Sequence, residues 1–378
     1  MLPRLTYLHL AAPDGQRSAR FYQAVLGWSI EDRGGGDFRF ASEPLHLIGR
    51  WSAAPSTGDA LAYYYVENIN DAIARVAEHG GEVVTAPKLE GDTLIATLRD
   101  PAGHALGIWQ FAAAGKVTTG YTTIGALRMY YEIRGAGDPL VVLHGGLGST
   151  GVHNAKLDEL AAKRRVIAVD LQAHGRTGDI DRPLRYELMA DDIAALAREL
   201  ELSQLDIVGY SLGGGVAARV AIQYPALVRK LALVATPVAR RGFYPDVLAQ
   251  MARMGAQVAE GIKQSPVYAS YHAIAPRVED FPKLCDKLGD LLRRDYDWSA
   301  EFAKLVPPAL IVFADADSVP PSYAAEMYAL LGGGERDAGW DGKARPRSQL
   351  AIIPGATHYD VFQAPPVAAM LEAFFAAS

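Results

Sequence analysis

The sequence predicts an α/β protein in two parts. The C-terminal part, 120–378, reads as a mostly parallel sheet with helices on both faces and a helical cap at about 236–306. The N-terminal part, 1–112, reads as an α+β domain of two βαβββ modules. Three observations carry this. Runs of Val, Ile and Leu alternate with helical stretches through the second part, as buried parallel strands require. A strand–helix pattern occurs twice in the first part. Between them, Phe111-Ala112-Ala113-Ala114-Gly115-Lys116 lacks periodicity and marks a linker over 113–119.

Composition bounds the function. The 378 residues are 50% hydrophobic and 21% charged, enough for full cores, and the net charge is −6. No long Lys/Arg run is present, so nucleic acid is not an expected partner; phosphate binding needs a concentrated basic face. The lone Cys285 excludes an intrachain disulfide and a Cys-based zinc site, and reads as packing. After Met1-Leu2-Pro3-Arg4 the apolar stretch is too short and too polar for a secretory signal. Runs such as Ala309 to Ala314 fall far below the ~18 residues that span a bilayer. The expectation is a cytoplasmic protein without a membrane partner.

In the first part, Leu5 to Ala11 alternates as a strand. Asp14 can cap a helix with Ala19, Tyr22, Val25 and Leu26 at helical spacing, ended by Gly27. Ala62 to Val66 is a second strand. Asn70 or Asp71 can cap a second helix, with Ile73, Val76 and Ala77 on one side and Gly80-Gly81 at its end. Short strands follow each helix.

This layout, with the segments RSARFYQAVLGW and DPAGHALGIWQ, resembles the vicinal oxygen chelate superfamily (glyoxalase- and bleomycin-resistance-like proteins) over roughly residues 4–111. The resemblance implies a cup that holds a divalent metal in many members. Here the ligand positions fall on Tyr7 and Gly107, and neither residue suits a hard cation. His9, two residues from Tyr7 on the same strand face, and His104, in the Asp-Pro-Ala-Gly turn, are the alternatives. The expected role is a metal-free cup for a small molecule, lined by Trp28, Tyr63, Tyr64, Tyr65 and Trp109; the same aromatics serve equally as core. No cofactor is expected. Modules of this type often pair, which makes a homodimer a candidate assembly.

In the second part, Thr122–Ile124 and Arg128–Ile133 read as a hairpin turning near Gly125. Strands follow at Leu140–Leu143, Val166–Val169, Leu205–Val208, Leu231–Ala235, Ala309–Ala314 and Leu350–Ile353, with helices such as Met189–Leu202 and Leu212–Tyr224 between them.

The decisive motif is Gly209-Tyr210-Ser211-Leu212-Gly213, set between the strand ending at Val208 and a helix with Leu212, Val216 and Val220 on one face. A nucleophile raised on such a turn needs tiny neighbours, which Gly209, Gly213, Gly214 and Gly215 supply. The helix N-terminus favours negative charge there. Acyl transfer builds an oxyanion, and two backbone N–H groups must face it. Leu212 is one candidate. The other is Gly146, in His144-Gly145-Gly146-Leu147-Gly148 after the strand Leu140–Leu143; His144 reads as a loop organiser. Tyr210 and Leu147 are assigned to substrate binding. The acid and base follow in chain order. Asp315-Ala316-Asp317 closes the strand Ala309–Ala314, with Asp317 preferred and Asp315 as runner-up. His358 lies on the loop after Leu350–Ile353. His46, His79, His153 and His272 read as surface or packing, and Asp170 and His174 as braces of their loop.

Together, VVLHGGLGS, DLQAHGRT, VGYSLGGGVA, ADADSVPP and PGATHY resemble the α/β-hydrolase superfamily over roughly 120–378. The resemblance implies a Ser211–Asp317–His358 triad, an acyl-enzyme and water as the second acceptor. The aromatic-rich cap suggests a small to medium ester or lactone, although such aromatics also simply hold helices together. Gly332 to Ser348 reads as a solvated loop. The leading function is thus a serine hydrolase on an ester-like small molecule. A carbon–carbon bond hydrolase or a cofactor-free perhydrolase is the alternative on the same fold. A small-molecule-binding or resistance protein with a vestigial hydrolase half is the alternative from another class.

Overall fold

A computed structural model describes residues 14–27, 29–32, 38–41, 62–66, 68–90, 93–111 and 117–377. Two units, Met1–Lys116 and Val117–Ser378, divide the chain. The expected strand Leu5–Ala11, with Tyr7 and His9, lies outside the described residues, as do Trp28, His46 and linker residues 113–116. Among the described residues, no helix is long and apolar enough to cross a membrane.

In the N-terminal unit, α1 (Gly15–Leu26) starts at Asp14, whose side chain accepts the Arg17 N–H, and stops at left-handed Gly27, φ 69°. β1 (Ser29–Asp32) and β2 (Phe38–Ala41) pair antiparallel. β3 (Tyr63–Tyr65), α2 (Ile69–Glu78), β4 (Glu82–Glu90), β5 (Thr93–Arg99) and β6 (Ala105–Phe111) make one complete βαβββ module. Its sheet runs β3-β6-β5-β4, with β3 parallel to β6.

The cap of α2 is Asn68, not Asn70 or Asp71; both of those lie in the first turn and donate their N–H to Asn68 Oδ1. The buried face is Ile69, Ala72 and Val76, while Ile73 is half-buried and Ala77 exposed. The helix packs against α1 and β4, and that packing rotates the core face by about one residue from the periodic estimate. Phe21, Tyr22, Val25, Val66, Ala96, Leu98, Leu106 and Ile108 complete this core.

In the C-terminal unit, β7 (Thr118–Ile124) and β8 (Leu127–Arg134) form the hairpin, with Gly125 at φ 58°. Thr118 and Thr119 therefore belong to a strand, not to the linker, because their backbone pairs with Ile133 and Glu132. β9 (Pro139–Leu143), β10 (Arg165–Val169), β11 (Leu205–Tyr210), β12 (Val228–Val234), β13 (Ala309–Ala316) and β14 (Gln349–Thr357) complete a sheet ordered β14-β13-β12-β11-β9-β10-β8-β7. β8 runs antiparallel to β7 and β10, and the other pairs are parallel.

The central strands are buried on both faces. Val141, Leu143, Ile167, Val169 and Ile207 join one core with α4 (Tyr186–Glu199) and α5 (Leu212–Gln223). The alternate residues Leu140, Val142, Val166, Ala168 and Val208 are equally buried and point the other way. α3 (Asn154–Ala161) packs on β8 and β10. Between β12 and β13 stand the cap helices α6 (Pro245–Ala252), α7 (Ala256–Ile262), α8 (Pro266–Ile274), α9 (Phe281–Arg293) and α10 (Ser299–Phe302). α11 (Pro321–Leu330) and α12 (Pro365–Ala376) follow, α12 against α3.

Candidate active site

Ser211 sits at the N-terminus of α5 with φ 52° and ψ −117°, a backbone conformation that costs a non-glycine residue on the order of 1–3 kcal/mol. The surroundings over-determine it. Its N–H donates to the Val234 carbonyl at 2.9 Å. Its carbonyl accepts from Gly214 N–H at 2.9 Å and from the Thr236 hydroxyl at 2.7 Å. A side chain at Gly209 would collide with the Gly213 carbonyl, and one at Gly213 would stand 2.5 Å from the His144 carbonyl oxygen. Strand, helix and the loop after β9 pass this closely only because these residues have no Cβ. Thr236 carries no signal in the sequence; its part in holding the bend emerges only in three dimensions.

The bend brings Ser211 Oγ to 3.0 Å from His358 Nε2. On the far side of the ring, His358 Nδ1 is 2.8 Å from Asp317 Oδ1. A carboxylate only accepts, so Nδ1 carries the hydrogen and Nε2 presents its lone pair to the serine hydroxyl. Asp317 is buried and also accepts the Ala314 N–H at 3.1 Å and the Ser318 N–H at 2.7 Å. Asp315 is exposed and faces elsewhere, its Oδ1 accepting Gly355 N–H at 2.9 Å. It thereby ties β13 to the end of β14, three residues before His358.

Tyr210 donates its hydroxyl to the backbone carbonyl of His358 at 2.7 Å. Its ring stacks on Phe362 and meets His153 edge-on. Leu147 is half-buried at φ 58° in the loop after β9.

In that loop Gly145 is buried and Gly146 exposed. A Cβ on Gly145 would stand 3.4 Å from Ser211 Cβ, and one on Gly146 would stand 3.9 Å from Leu212 Cβ and 3.5 Å from Leu288 Cδ2. Leu212 opens α5, where an N–H has no partner within the helix. Among the described residues no backbone carbonyl takes the Gly146 N–H.

His144 pins the loop. Its Nε2 accepts the Leu171 N–H at 3.1 Å, so its Nδ1–H donates to the Gly145 carbonyl at 2.7 Å. Burial pushes its pKa down to about 4. His174 donates to the Gln172 carbonyl at 2.8 Å, and Asp170 accepts the N–H groups of Thr150 at 2.7 Å and Arg176 at 2.8 Å. His153 is buried rather than exposed, against Phe362. His272 is exposed and His79 half-buried.

Much of the cap's aromatic content packs on itself. Tyr268 and Tyr271 meet Phe281 at 4.9 and 5.0 Å, and Tyr296 meets Trp298 at 4.5 Å. Cys285 is buried within α9.

The described residues of the N-terminal unit do not fit a metal. The Tyr63 ring fills the space a side chain on Gly107 would need. His104 closes its own turn, with Nδ1 at 2.9 Å and its N–H at 2.8 Å from the Asp100 carboxylate. Tyr63 and Tyr65 share one side of β3, Tyr65 edge-on to Trp109 at 5.3 Å, while Tyr64 packs on the core.

Comparison with known proteins follows this division. The family described as the alpha/beta hydrolase fold matches residues 138–265, and the glyoxalase/bleomycin resistance protein/dioxygenase superfamily matches residues 4–108. An uncharacterized protein of Mycobacterium tuberculosis is 27% identical over 278 residues, 64% of this chain and 76% of its own length. The 2-hydroxymuconate semialdehyde hydrolase of a Pseudomonas species is 40% identical over 104 residues, 26% of this chain and 37% of that protein. Among solved structures, the carboxylesterase CesB of Bacillus subtilis shares the fold with TM-score 0.54 at 17% identity, covering 70% of this chain and 93% of its own. The chain thus carries a domain of the glyoxalase/bleomycin resistance protein/dioxygenase superfamily followed by an α/β-hydrolase domain.

Proposed function

We propose that the C-terminal domain is a serine hydrolase that cleaves a small to medium carboxylic ester or lactone through an acyl-enzyme. The observation that carries this is the continuous chain from Ser211 Oγ to His358 Nε2 at 3.0 Å and from His358 Nδ1 to Asp317 Oδ1 at 2.8 Å. In this reading His358 takes the Ser211 proton as Oγ attacks the acyl carbon, then returns it to the leaving oxygen. Asp317 holds the tautomer and stabilises the imidazolium. The N–H groups of Leu212 and Gly146 face the developing oxyanion. Water activated by His358 then releases the acid and restores the serine. Tyr210, through the His358 carbonyl, positions the imidazole. Likeness to a carboxylesterase fold supports ester chemistry.

A second reading has its own support. The 40% identity to a 2-hydroxymuconate semialdehyde hydrolase, beside an N-terminal domain of the dioxygenase-containing superfamily, favours a carbon–carbon hydrolase on ring-cleavage products. The N-terminal domain is in either case a candidate small-molecule-binding module.

The test is turnover of p-nitrophenyl esters and of 2-hydroxy-6-oxo ring-cleavage products by the full chain, with Ser211→Ala as control. Turnover of esters that falls at least about a thousandfold in that variant is expected. Ester turnover that survives in the variant overturns the serine mechanism. Turnover of ring-cleavage products alone moves the assignment to the second reading.

A further inference from the structure

We propose that Leu288, on cap helix α9, limits the size of the acyl group, and that the site is built for short acyl chains. This rests on the serine-hydrolase reading above.

The two glycines of the loop after β9 face different ways. Gly145 faces Tyr210 and Ser211: a Cβ there would stand 2.9 Å from the Tyr210 ring. Tyr210 in turn holds the His358 carbonyl, so this is the imidazole side of the serine. Gly146 faces Leu288 and Leu212, the cap side: a Cβ there would stand 3.5 and 3.7 Å from the two Leu288 methyl carbons.

An ester bound for attack points its carbonyl oxygen at the Gly146 and Leu212 N–H groups. Its leaving oxygen must face His358, which supplies the proton. The acyl chain takes the remaining direction, on the cap side. Leu288 already stands there, 4% exposed, within contact distance of the loop. A chain longer than a few carbons runs into it.

Leu288 is not free to move aside. Phe281, Leu284, Cys285, Leu288 and Leu291 form the buried stripe of α9. Its polar side is anchored to the segment between β10 and α4. Lys283 and Lys287 both reach the Asp179 carboxylate, at 2.7 and 2.8 Å. Lys287 also donates to the carbonyls of Ile180 at 2.6 Å and Arg182 at 2.8 Å, and Asp290 pairs with Arg185 at 2.6 Å. With both sides of the helix held, Leu288 acts as a fixed wall.

Two ester series test this on the full chain. One keeps p-nitrophenol and lengthens the acyl chain from acetyl to decanoyl; the other keeps acetate and lengthens the alcohol. Leu288→Ala is expected to raise the ratio of kcat/KM for long over short acyl chains by about tenfold or more, with the alcohol series unmoved. Leu288→Phe is expected to lower the same ratio. A ratio that changes less than about twofold in both folded variants overturns the assignment, and so does a shift confined to the alcohol series. Labelling with alkyl fluorophosphonates separates this from the underlying reading. If Ser211 takes no label and no ester turns over, the serine-hydrolase reading falls and Leu288 with it. If Ser211 is labelled but the Leu288 variants leave the chain-length profile alone, only Leu288 falls.

Discussion

Three buried neutral histidines predict a steep loss of stability in acid. Burial pushes His144 down from 6.5 to about 4, and His153 and His174 to about 3. Each has a reason to resist a proton: no water to solvate the cation and, for His144, an Nε2 lone pair already taken by the Leu171 N–H. Their folded pKa lies below the unfolded one, so the folded state is favoured fully above about pH 6.5. That advantage is lost as pH falls, until the folded state itself binds protons near pH 4 and below. At about pH 5.5 an unfolded histidine is roughly 90% protonated while these three remain neutral in the fold. Unfolding there takes up nearly three protons, and stability falls by roughly 4 kcal/mol per pH unit. By about pH 5 the accumulated loss is on the order of 6 kcal/mol, comparable to the whole stability of many domains. Asp170, whose carboxyl burial raises, works in the opposite sense: its folded form holds the proton more tightly, so its contribution to stability grows as pH falls. Urea unfolding followed by circular dichroism between about pH 7 and pH 5 gives the slope. Calorimetry in buffers of different ionisation enthalpy gives the proton count. His144→Asn should remove about a third of the slope. A urea midpoint that stays flat over this range, or uptake of fewer than about one proton, would refute the reasoning.

Other outcomes follow from the site. Asp317→Asn should lower kcat by about four orders of magnitude, because a neutral amide can donate to Nδ1 as well as accept, so it neither fixes the tautomer nor stabilises the imidazolium. Asp315→Asn, which touches only the Gly355 N–H, should stay within about threefold; steady-state kinetics on both variants decides which carboxylate orients the base. Tyr210→Phe removes one hydrogen bond worth about 1 kcal/mol from the His358 carbonyl, and should cut kcat about fivefold with KM unchanged; a change in KM alone would place Tyr210 against the substrate instead. Cys285 is buried and its thiol is pushed up to about 11 by desolvation, so Ellman's reagent should read no thiol in the native protein near pH 8 and one equivalent in urea.

Where an element depends on near neighbours, it was legible in the sequence. Continuous apolar runs mark strands buried on both faces, because such strands have no solvent side to alternate with. The Gly209–Gly213 motif marks the bend because only glycine permits strand and helix to pass so closely, a steric demand met within five residues. Asp14 and Gly27 bound a helix for equally local reasons. The cap of α2 lies two residues before Asn70 and three before Asp71, since Asn68, Asn70 and Asp71 are all good caps and only packing against α1 and β4 selects among them.

The sequence by itself determined the two-part architecture, the order of strands and helices, and the bend that carries Ser211, because backbone sterics and hydrophobic period act over a few residues. The sequence ranked Asp317 above Asp315 but left both open; tertiary structure sets Asp317 against the imidazole. It alone carried the Tyr210 hydroxyl to a carbonyl 148 residues away and the Leu288 methyls to the Gly146 loop. Those contacts join segments that share no local pattern, and they exist because the parallel sheet delivers the C-terminal ends of its strands to one edge, where their loops must pack together.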